Sequence, residues 1–117
     1  MNELYVNDVL KRVITQVVGP LSENYQSELS LISQGNMTAK EVRMTYTVRN
    51  QNLKRYGKTL AGYDELENSL LQLPEGQRLE FFHFKYRNIL ISLFFQEMEL
   101  LGYFYFKEPQ SGPGLDQ

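Results

Sequence analysis

The sequence predicts an all-α fold, a small antiparallel helical bundle with a long central C-terminal helix. Three observations lead there. Apolar residues near the N-terminus recur at helical spacing, a complete helix-start signal stands at Thr38, and the segment from 76 to 101 is long, aromatic and bounded by Pro74, Gly76 and Gly102. The predicted arms run over about 4–33, kinked at Gly19-Pro20, then 38–73, interrupted near 57–62, and finally 76–101. Residues 1–106 form a single helical domain in this reading. The tail 107–117, KEPQSGPGLDQ, is expected to be disordered because of its Pro, Gly and Ser.

The first arm places Val6, Val9, Leu10, Val13, Ile14, Val17 and Val18 at helical spacing. Its β-branched run RVITQVV opposes helix formation, because such side chains lose rotamer freedom there. Gly19-Pro20 breaks the chain. Beyond it, Leu21, Tyr25, Leu29 and Ile32 again share a helical face, with Ser22 as N-cap and Gly35-Asn36 as the stop.

The second arm opens on Thr38-Ala39-Lys40-Glu41, a capping box, with Met37 and Val42 placed for a hydrophobic staple. A rival strand pattern follows in VRMTYTVR, where Val42, Met44, Tyr46 and Val48 alternate with polar residues. The helical reading covers more of the chain and uses the cap. The alternative is an α+β fold with a short strand near 41–49, paired with RVITQVV and YFYF. Asp64 and Glu67 offer a second cap for a short helix that turns Leu66, Leu70 and Leu73 inward.

The stretch from Arg78 to Phe106 holds ten of the fifteen aromatic rings of the chain. Taken as a helix, it places Leu79, Phe82, Tyr86, Ile89, Leu90, Leu93 and Leu100 within an arc of roughly 100°, while Phe84, Ile91, Phe95 and Met98 form a second apolar face beside it. One neighbouring helix cannot cover both. The second face is read as core against another arm or as an interface, to another copy or a different protein. In the interface reading Phe84, Ile91, Phe95, Tyr103 and Tyr105 are the partner-binding anchors.

Charge and composition narrow the function classes. There is no cysteine, so disulfide scaffolds and thiolate zinc sites are excluded. The first residues carry no apolar signal-peptide core and no apolar run reaches membrane-spanning length, which predicts a cytoplasmic, non-membrane protein. His83 is the one histidine. Glu80-x-x-His83 has the ligand spacing of di-metal carboxylate bundles, but the further glutamates such a site needs are not evident, and no metal is expected. No P-loop, dinucleotide fingerprint or nucleophile elbow occurs, so no cofactor, catalytic residue or enzyme activity is expected. Asn36-Met37-Thr38 matches a glycosylation sequon, yet reads more simply as helix stop and cap.

The net charge is −2, but residues 40–58 are net +5 and the remainder −7. Arg43, Arg49, Lys54, Arg55 and Lys58 form a candidate anion-binding stripe. The first expectation is therefore a small non-catalytic protein-interaction module, an adaptor, inhibitor or assembly factor that self-associates as a homodimer or larger oligomer. The alternative is a nucleic-acid or phosphate-ligand binder using the basic segment.

Overall fold

The computed structural model describes residues 2–109 and overturns the all-α expectation. The chain is α+β, with a four-stranded antiparallel sheet between two helical layers. The order is α1 (Glu3–Val18), α2 (Tyr25–Glu28), β1 (Leu29–Thr38), α3 (Ala39–Lys54), α4 (Tyr63–Leu71), β2 (Arg78–Tyr86), β3 (Ile89–Gln96) and β4 (Glu99–Lys107). The sheet is ordered β1-β2-β3-β4, leaving β1 and β4 at its edges.

The helices obey the local signals. Asn2 Oδ1 accepts the Leu4 N–H at 2.8 Å and starts α1. Val6, Val9, Leu10, Val13 and Ile14 are buried along one stripe, and α1 ends at Gly19, which stands at φ 115°. At α3 the capping box is complete. The Glu41 N–H donates to Thr38 Oγ1 at 3.1 Å, and the Thr38 N–H donates to the Glu41 carboxylate at 3.0 Å. Two further first-turn amides, Ala39 and Lys40, donate to the carbonyls of Gln77 and Glu75. The interruption near 57–62 is present, and Gly62 at φ 87° leads into α4. Asp64 and Glu67 do not cap that helix, whose N-cap is Gly62, two residues before Asp64.

The segment read as the central helix, 76–101, is instead two complete strands and the start of a third. Leu79, Phe81 and His83 point to one face of β2, and Phe82, Phe84 and Tyr86 to the other. In β3, Ile89, Ile91, Leu93 and Phe95 alternate in the same way with Leu90, Ser92 and Phe94. α1 covers the face of Phe82, Phe84 and Tyr86 with Ile89, Ile91, Leu93 and Phe95, and α3 with α4 covers the face of Leu79, Phe81 and Phe94. Burial on both faces removes the polar alternation that marks a half-exposed strand, leaving nearly continuous apolar runs.

The two hairpin turns hide equally well, because neither contains glycine. Arg87 takes φ 57°, and Glu97 and Met98 take φ 49° and 69°. Such left-handed turn positions usually carry Gly, Asn or Asp. The Arg87 turn is held from outside: its guanidinium pairs with Glu28 and lies over the Tyr86 ring, 5.0 Å from the centroid.

Two other expectations are corrected. Residues 29–38 form edge strand β1, not the end of a helix, and Ser22 donates to the Glu28 side chain at 2.8 Å instead of capping. Gly35 lies mid-strand opposite Phe81, where an added Cβ would stand 3.0 Å from the Phe81 ring. The strand alternative for 41–49 also fails, since those residues lie within α3, and RVITQVV lies within α1. YFYF is a strand, part of β4. Of the tail expectation, Lys107 belongs to β4, the Glu108 N–H donates to the Asn88 carbonyl at 2.7 Å, and residues 110–117 lie outside the described residues. Among the described residues no helix is long and apolar enough to cross a membrane.

Candidate functional site

The layer of α3 and α4 does not cover its whole side of the sheet. Tyr46, on α3, packs on Phe94 and Phe104, and Leu66, on α4, packs on Gly102. Beyond them, toward the Arg87-Asn88 turn, Leu90 and Phe106 form the next cross-strand pair and are only half-buried. There a pocket of about 380 Å³ opens between α3, Leu60 and the sheet. Its wall is mostly apolar, from Leu53, Leu60, Leu90, Phe104 and Phe106, with Ile32 of β1 at one side.

Four polar side chains reach this pocket. His83 on β2 lies opposite Ser92 on β3, and its Nδ1 is 2.6 Å from Ser92 Oγ. His83 Nε2 is 3.2 Å from the Tyr46 hydroxyl. Arg49, one turn along α3, sits 5.8 Å over the Tyr46 ring. Burial, and then the charge of Arg49, hold the His83 pKa below its usual value, so the imidazole is neutral near pH 7. Burial likewise raises the Tyr46 pKa, with Arg49 opposing. A neutral imidazole offers one donor and one acceptor. Its two ring partners, a serine and a tyrosine hydroxyl, satisfy both.

A serine 2.6 Å from a histidine resembles a nucleophile with its base. The surroundings argue otherwise. The second imidazole nitrogen meets a phenol rather than a carboxylate, and Arg49 disfavours the imidazolium that base catalysis forms. Ser92 lies in a central strand, where backbone amides are used by the sheet ladder. The arrangement reads as a satisfied polar cluster at the floor of an apolar pocket.

Asn50 was not singled out by sequence reasoning, yet it shapes this pocket. It is buried, and its Oδ1 accepts both the Leu60 N–H and the Thr59 hydroxyl at 2.9 Å. Those two bonds pin the loop after α3 and set Leu60 in the pocket wall.

The basic stripe is divided by the fold. Lys54 turns toward α4 and lies 3.8 Å from Asp64, and Arg43 acts electrostatically on buried Tyr63 of α4. Arg55 caps α3 and Lys58 lies in the exposed loop beyond it. Arg49 alone of the five lines the pocket, and among the described residues it has no carboxylate partner.

The five expected anchors come together, but under α1. Phe84, Ile91 and Phe95 are buried there, and Tyr103 and Tyr105 pack partly buried against the same cluster. Tyr5 of α1 lies with its ring 6.2 Å from that of Phe95. Of the second apolar face of the sequence reading, Phe84, Ile91 and Phe95 are thus covered by the chain itself, while Met98 stands exposed in the turn before β4. Glu80 and His83, three apart in a strand, point to opposite faces and cannot share a metal ion. No group of three or more potential metal-ligating side chains occurs among the described residues.

The edge of β1 is exposed. This ten-residue strand, LSLISQGNMT, carries no charge and no proline. Leu31 and Ile32 are 51% and 55% exposed. Their register slips at Ile32, a bulge between Leu31 and Ser33. The opposite edge differs: β4 begins at Glu99, ends at Lys107, and is bridged at Tyr105 by Ala61 through two 2.9 Å backbone bonds. Comparison of the chain with protein-family models, with characterised proteins and with solved structures gave no match.

Proposed function

We propose that this protein is a small non-catalytic interaction module that self-associates through the free edge of β1. The observation that carries this reading is a ten-residue edge strand without charge or proline that itself bears exposed Leu31 and Ile32. Edge strands are usually guarded by lysine, proline, a bulge or a covering element, because their unpaired N–H and C=O groups recruit other strands. β1 carries the bulge at Ile32, beyond which residues 33–38 run in regular register. An antiparallel pair of β1 strands around a twofold axis closes on itself. It joins two four-stranded sheets into one of eight. An uncharged strand meets its own copy without repulsion, so a second copy is the best-matched occupant.

Light scattering on the eluting full-length protein tests this. The wild type is expected to elute as a dimer, and Leu31→Lys as a monomer with unchanged circular dichroism and melting temperature. Leu31 is half-exposed, so lysine can lay its stem along the sheet with the charge in water. A monomeric wild type at high concentration, or a folded Leu31→Lys dimer, overturns the reading.

A further inference from the structure

We propose that the pocket beside α3 binds a medium-chain amphipathic carboxylate, with the acyl chain against the apolar wall and the carboxylate at Arg49. This is independent of pairing at β1 and holds for monomer or dimer. Three observations carry it. The pocket of about 380 Å³ falls within the range of small-molecule sites, and its wall is predominantly apolar. At roughly 30 Å³ per water-sized group it has room for about a dozen such groups, the size of a ten-carbon chain with its head.

The second observation is the polarity of the two ends. The floor holds a neutral cluster whose imidazole nitrogens already have partners in Ser92 and Tyr46. That floor asks for no charged ligand atom. The exposed end holds Arg49, whose guanidinium has no carboxylate partner among the described residues. A ligand matching this gradient is apolar along its body and singly anionic at one end. A guanidinium takes a carboxylate through paired hydrogen bonds.

The third is that the wall is braced. Tyr46 is held by His83 and by Phe104, its ring 4.9 Å from that of Phe104, and Leu60 is pinned through Asn50. A site braced before binding loses less entropy when filled.

The probe is sodium decanoate, titrated calorimetrically into the full-length protein below its micelle concentration. One saturable site per chain is expected. Arg49→Met is expected to weaken decanoate ten- to a hundred-fold, the worth of a charge-assisted hydrogen bond, without changing melting temperature. Decanol is expected to bind wild type and Arg49→Met alike. The chain has no tryptophan, so Phe106→Trp supplies a single tryptophan, excited selectively over the eight tyrosines, in the pocket wall. Its emission is expected to shift blue with the calorimetric midpoint. No saturable binding, undiminished binding by Arg49→Met, or heat without a shift in the Phe106→Trp emission each overturns the proposal.

Discussion

Replacing Asn50 by leucine tests the bracing of the pocket. Leucine has nearly the shape of asparagine but no acceptor. Two donors lose their partner, the Leu60 N–H and the Thr59 hydroxyl. Leu60 is buried, so its amide cannot turn to water; an orphaned buried donor costs about 1–3 kcal/mol. Thr59 is exposed and rehydrates at little cost. The Asn50 Nδ2 contact with Asp64, at 3.5 Å, is at the limit of a hydrogen bond and adds little. The net expected loss is ~2 kcal/mol. Unfolding entropy of about 2.1 cal/mol/K per residue gives roughly 0.25 kcal/mol/K for this chain, so the melting temperature should fall by about 8 °C. Urea unfolding followed by circular dichroism measures the loss directly. A variant as stable as wild type would instead mean that the Leu60 amide is not sealed from water.

Other expectations concern titration and an orphaned hydroxyl. His83 is neutral in the fold and its pKa is lowered, first by burial and then by Arg49. Below about pH 6.5 the unfolded chain takes a proton that the folded chain refuses, so stability is full above that pH and falls as pH drops toward the folded pKa, by up to ~1.4 kcal/mol per pH unit. Urea midpoints between pH 5 and 7 should show this slope in wild type and lose it in His83→Gln; equal slopes would contradict it. Tyr25 is buried beside Tyr86, and its hydroxyl has no hydrogen-bond partner among the described residues. Tyr25→Phe should therefore leave stability unchanged or raise it by up to about 1 kcal/mol in the same assay, whereas a loss of that size would reveal a partner for the hydroxyl.

The helices could be read in the sequence because their signals are local. Thr38 and Glu41 form their box within four residues, and Gly19-Pro20 ends α1 whatever packs around it. The sheet could not, because its evidence is long-range. Phe82, Phe84 and Tyr86 are apolar because α1 covers them, and Leu79 and Phe81 because α3 and α4 do. A strand buried on both faces and a broad-faced helix have the same composition, and turns at Arg87 and at Glu97-Met98 lack the glycine that would have separated them.

The site followed the same division. Arg49 was legible as a base, but its neighbours across α3 could not be sorted without α4. The pairing of His83 with Ser92 was recoverable in principle, since a two-residue turn at Arg87-Asn88 sets those positions opposite one another. The Tyr46 hydroxyl, 37 residues away from His83, was not. Phe84, Ile91 and Phe95 share one face of the sheet under α1, but together with Phe82, Tyr86, Ile89 and Leu93, which helical geometry set on a separate face.

Pairing of copies through the free β1 edge can be read from amide hydrogen exchange as a function of protein concentration. Strand pairing between copies adds hydrogen bonds to β1 amides that point away from β2. Those amides should gain protection as concentration rises, while the outer amides of β4 stay unchanged. Exchange at β1 that is independent of concentration, or protection that rises equally at both edges, would contradict the account.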